Sequence, residues 1–98
     1  MSSTDFYELL RQRTGLAGMM TETDGGCRIT LLSPRYRYFA EVNGEEVYVD
    51  MAERSGQRAG REVPLMPAEP LTEAAVERIA GEIRAQEAAQ AASAGDAA

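Results

Sequence analysis

The chain has 98 residues, a net charge of −6 and no histidine, lysine or tryptophan; all ten basic residues are arginine. Arginine stays protonated at any working pH, so the usual proton shuttle near neutrality, the Schiff-base amine and the commonest metal ligand are missing. This weighs against catalysis and against a bound cofactor or metal, and the acidic balance weighs against direct nucleic-acid binding, which needs clustered positive charge.

The N-terminal Met-Ser-Ser-Thr-Asp carries no basic region of the kind a signal peptide needs. Residues 5 to 14 read as a helix. Asp5 is the expected cap, Glu8 follows at capping-box spacing, and Phe6, Leu9 and Leu10 share one face. Gly15 is a natural stop. Residues 19 to 23 read as a short strand and Asp24-Gly25-Gly26 as a turn. A strand over 27 to 32 puts Cys27, Ile29 and Leu31 on one side and Arg28, Thr30 and Leu32 on the other. Cys27 is the only cysteine, so no intramolecular disulfide is possible and a reducing, cytoplasmic setting is expected. With no histidine beside it, its thiol reads as a small buried apolar group rather than a nucleophile.

Residues 35 to 42 and 45 to 51 flank Asn43-Gly44, a strong signal for a two-residue hairpin turn. Centred there, the turn sets Val42 opposite Glu45, Ala40 opposite Val47, Tyr38 opposite Val49 and Tyr36 opposite Met51. The other face then pairs Arg37 with Asp50, Phe39 with Tyr48, and Glu41 with Glu46, the last a repulsive pair. Residues 54 to 62 read as a flexible basic loop and residues 63 to 70, with Pro64, Pro67 and Pro70, as extended chain. Thr72 caps a second helix whose stripe is Val76, Ile79, Ala80 and Ile83. The helix is expected to fray near Ala92, with a disordered end through Ala98.

The expected fold is α+β: an N-terminal helix, a three- to four-stranded antiparallel meander and a C-terminal helix, both helices on one sheet face. A single domain spans 1–84, including the 54–70 loop, and 85–98 is an alanine-rich extension and tail. No apolar run nears the ~20 residues of a membrane span.

Between 41 and 53 the chain has five acids and no basic residue. Glu41, Glu46 and Asp50 share the open face with Phe39 and Tyr48, and Glu45 and Glu53 stand at its rim. Aromatics ringed by charge are typical interface anchors. The plain alternative is a solvated sheet face. Arg54, Arg58 and Arg61 could grip phosphate, but a solvated loop is the simpler reading. Residues 61 to 67 match the spacing of a proline-rich SH3 ligand, although Val63, Leu65 and Met66 read better as docked on their own core.

The order of a helix ending Gly15-Leu16, a meander holding Val42-Asn43-Gly44-Glu45 and a final helix resembles that of a double-stranded-RNA-binding domain. That family grips phosphates with lysines at the start of its last helix. Here that helix starts Thr72-Glu73-Ala74-Ala75, so the resemblance extends to topology and not to function. The expected function is a small cytoplasmic, non-enzymatic interaction protein that docks on a basic surface of a larger protein. By analogy of charge and size with anti-CRISPR proteins, such a protein can inhibit by blocking a nucleic-acid-binding site. The alternative is a structural or assembly protein acting as a homodimer or particle subunit.

Overall fold

The computed structural model describes residues 1–54 and 60–97, and side chains as far as residue 91. Helix α1 (Ser3–Thr14) begins earlier than the sequence suggests. Ser2, not Asp5, is the cap: its extended backbone lets the hydroxyl accept the Asp5 amide at 3.1 Å. Asp5 instead occupies the first turn, where its charge complements the helix dipole. Gly15 ends the helix at φ 70°, a left-handed conformation that favours glycine, and its amide bonds the Arg11 carbonyl at 2.8 Å.

Four long antiparallel strands follow: β1 (Ala17–Thr23), β2 (Gly26–Leu32), β3 (Tyr36–Asn43) and β4 (Glu46–Glu53). Two short strands, β5 (Val63–Pro64) and β6 (Glu69–Pro70), both pair with the far side of β4. Helix α2 (Glu73–Ala97) closes the chain. Thr72 caps it as expected, its hydroxyl accepting the Ala75 amide at 3.2 Å. The helix continues past Ala92 to Ala97, further than the composition suggests. Ala98 lies outside the described residues.

The burial of β2 and β3 alternates strictly, with Cys27, Ile29, Leu31, Tyr36, Tyr38, Ala40 and Val42 buried on one side. Val47 and Val49 of β4 join that side. These residues form one core with Phe6 and Leu10 of α1 and Val76, Ile79, Ala80 and Ile83 of α2, so both helices cover the same face. The helices are also tied directly: the Arg13 side chain donates to Glu77 at 2.5 Å, and Arg84 donates to the Arg13 carbonyl at 2.6 Å. Tyr38 reaches through the layer to donate to Glu87 at 2.5 Å.

The β3–β4 register differs from the expected one. The two-residue turn is Gly44-Glu45, closed by Asn43 opposite Glu46. Gly44 has φ 64° and among the described residues no non-glycine residue has positive φ, so only the first central position of this turn is left-handed, the signature of a type II′ turn. The physical reason is burial. The expected register would set Glu45 beside Val42 on the core face, and an unpaired carboxylate there is costly. The observed one sets Val42 opposite Val47 and Ala40 opposite Val49. The pairing moves by an even step, so each side chain keeps its expected face and only its partner changes.

Two glycines bear on this frame in opposite ways. A Cβ at Gly26 would stand 2.1 Å from the Val42 carbonyl oxygen, whereas one at Gly81, inside α2, would meet nothing within 4 Å. Gly26→Ala is therefore expected to cost about 1–3 kcal/mol through displaced backbone. Gly81→Ala is expected to gain about 0.4–1 kcal/mol by restricting the unfolded chain. Urea midpoints of the two variants check both signs.

Candidate functional site

With the helices on one face, the other face of the sheet is left open. Its side chains come from the alternate positions of each strand: Met19 and Thr21 of β1, Arg28, Thr30 and Leu32 of β2, Arg37, Phe39 and Glu41 of β3, and Glu46, Tyr48, Asp50 and Ala52 of β4. Met19 and Tyr48 are its exposed large hydrophobic side chains, at 58% and 45%.

Five of the seven expected docking residues come together here: Phe39, Glu41, Glu46, Tyr48 and Asp50. Their partners are not the expected ones. Glu41 faces Tyr48, Phe39 faces Asp50, and Arg37 faces Ala52. The expected pairs Arg37–Asp50, Phe39–Tyr48 and Glu41–Glu46 become diagonal neighbours, so no two carboxylates stand directly opposed. Glu41 also faces Arg28 across β2. Glu45 sits in the turn, where its carbonyl accepts the Leu71 amide at 2.8 Å. Glu53 lies at the far end of β4, opposite Tyr36 and on the helix-side parity, away from the other acids.

Phe39 is half-buried because the Arg28 guanidinium lies over its ring, 4.3 Å from the centroid. Arg28 is held there by an ion pair with Glu62, just before β5. Cation, ring and carboxylate thus form a stack across the sheet. The sequence reading placed Arg28 on this face but missed the stack, because Glu62 is distant along the chain. Arg37 lies on the open face as expected, with Ala52 rather than Asp50 as its partner. Its Nε is buried without a hydrogen-bond partner, and the neighbouring Ala52 is only 4% exposed. Tyr48 donates its phenol proton to the Glu46 carboxylate. That hydrogen bond, and then the carboxylate charge, raise its pKa above the ordinary value.

The other candidates fall elsewhere. Cys27 is a free thiol, 3% exposed, on the helix-side face opposite Val42. Arg54 donates to the Ser33 carbonyl at 2.7 Å and lines a cavity of about 310 Å³ with Pro34, Arg35, Tyr36 and Glu53. Arg61 lines an adjacent cavity of about 300 Å³, and Arg58 lies outside the described residues. In the 61–67 segment, Val63 and Pro64 pair with Met51 and Asp50, while Leu65 and Met66 pack on the core. Among the described residues no three acidic or cysteine side chains gather as a metal site, and no helix is long and apolar enough to cross a membrane. No family model matches this chain, and the searches of curated proteins and of solved structures found no match.

The Tyr48–Glu46 contact has a direct readout. Tyr48 is expected to titrate above the ~10 of a free tyrosine. Glu46→Gln removes the charge that disfavours the phenolate, so the titration should move down towards that value. An NMR titration of the tyrosine ring carbons follows each phenol separately. An unmoved Tyr48 signal in the variant would rule the contact out.

Proposed function

We propose that this chain is a non-enzymatic binding protein that docks on a basic surface of a larger protein through the open face of its sheet. The observation that carries the reading is the convergence of Tyr48, Glu41, Glu46 and Asp50 on the solvent side of β3 and β4, beside the Arg28–Phe39 stack. Tyr48 supplies a large, half-exposed aromatic surface whose hydroxyl is already engaged, so little polar desolvation accompanies its burial. The three carboxylates steer and pair with arginine or lysine of the partner. Arg28 and Arg37 interrupt the acidic field, which favours a partner with discrete basic side chains over one with a uniform positive surface. A chain of net −6 with no lysine fits neither direct nucleic-acid nor anionic-membrane binding. The absence of histidine and lysine from the sequence supports the non-enzymatic reading.

The test is the combined reversal Glu41→Lys, Glu46→Lys and Asp50→Lys. All three sites lie on the open face, so circular dichroism should still report the parent fold, while loss of the Glu41–Arg28 opposition and of the Tyr48–Glu46 bond should lower the unfolding temperature modestly. Capture of a partner from native lysate, followed by reconstitution from purified components, should fall by at least tenfold, and high salt should weaken the parent complex. Equal capture by the folded triple variant would remove these residues from the interface.

A further inference from the structure

The two edges of the sheet are treated differently. Along β4 the edge is closed almost without a gap. Glu46 and Val47 pair with β6, Asp50 and Met51 pair with β5, the Val49 carbonyl accepts the Leu65 amide at 2.9 Å, and the Glu45 carbonyl accepts the Leu71 amide. Each capping strand ends in a proline, which cannot donate a further ladder bond. The β1 edge has none of this. Its seven residues, Ala-Gly-Met-Met-Thr-Glu-Thr, include no proline and no basic residue, and among the described residues β1 pairs only with β2. An unblocked edge of this length is a template for another strand.

We propose that two copies of the chain pair through their β1 edges, antiparallel, with Met20 of one copy opposite Met20 of the second. Three observations favour a second copy as the occupant. This register is centred on β1, so all seven residues of each strand are engaged. It sets Glu22 opposite Gly18 and Thr21 opposite Met19, so no like charges are opposed. It also carries the acidic end of one strand, with Glu22 and the adjoining Asp24, to the start of the other, which lies near Arg11 of α1. Arg11 and the start of β1 line one surface depression of about 470 Å³, together with Glu8, Gln12, Gly15 and Leu16. In the pair, Asp24 of the second copy falls opposite Leu16, beside Arg11. The two-fold makes this contact twice. Arg11 is half-exposed and loosely held: its pairing with Glu8 is long, at 3.9 Å, and its guanidinium lies 5.6 Å from the Tyr7 ring centroid, leaving N–H donors for a carboxylate.

Sedimentation or light scattering on the full chain over a dilution series reads the outcome. The mass should climb from the single-chain 10.6 kDa towards twice that value. Met19→Lys with Thr21→Lys puts lysine opposite lysine on both sides of the two-fold and should hold the mass at one chain. Arg11→Glu and Asp24→Arg should each weaken the dimer roughly three- to tenfold, and their combination should restore it. Far-UV circular dichroism confirms that each variant is folded. A parent chain that stays at single-chain mass throughout overturns the proposal, and so does a folded lysine variant that still dimerises. Loss in both single charge variants without rescue in the double overturns the register. An edge that instead takes an extended peptide from another protein would leave the chain monomeric when pure.

Discussion

Val42 opposite Val47 is the pairing on which the rest of the sheet depends. Once those two β-branched side chains meet on the core face, Ala40 meets Val49, Tyr38 meets Met51, and the alternate residues have nowhere to go but the solvent side. The Gly44 turn permits this because glycine accepts a positive φ at the first central position without strain. Gly26 contributes from the neighbouring strand. Its missing Cβ lets β2 lie against the Val42 carbonyl, and the Gly44 amide bonds the Gly25 carbonyl at 3.2 Å, locking the two hairpin turns together.

A two-layer fold buries one face of its sheet and leaves the other wet. Natural chains soften such a face with charge, and this one does so with a particular economy. Arg28 covers Phe39, Glu62 holds Arg28, and the small Ala52 opposite Arg37 is itself buried. The apolar area that would otherwise invite non-specific contact is thereby reduced, and Tyr48 is left as the prominent aromatic. An aromatic whose hydroxyl is already tied to a neighbouring carboxylate holds its position before any partner arrives, which lowers the ordering cost of binding.

The faces of β2, β3 and β4 were legible in the sequence because alternation with period two is written locally. So were the Gly15 stop and the Thr72 cap, each a matter of one residue's chemistry. The strand partners were not. Asn43-Gly44 has the strongest local turn preference in the chain, and it yields to the cost of burying Glu45, which only the assembled sheet can impose. The start of α1 was misplaced because Asp5 and Ser2 are both good caps, and Ser2 at three residues' spacing captures the Asp5 amide. Strands β5 and β6 carry no periodic signal, being two residues long and ending in proline. The Arg28–Glu62 contact joins residues 34 positions apart and becomes visible only when β5 is laid beside β4.

The 62–70 segment connects these threads. It supplies Glu62, which fixes Arg28 over Phe39 on the open face, and Leu65 and Met66, which extend the core. Glu69 then anchors its far end by accepting three hydrogen bonds from the Arg78 guanidinium, at 2.8 to 3.0 Å. A segment tied at both ends in this way serves as a fixed cover for the β4 edge and leaves the sheet one direction in which to grow. Pairing at β1 in a register of matched parity would keep both open faces on the same side of a continuous sheet. The residues proposed to dock would then form one extended surface in the proposed pair, and the proposed basic partner, if its sites repeat, would meet it with the advantage of two linked contacts.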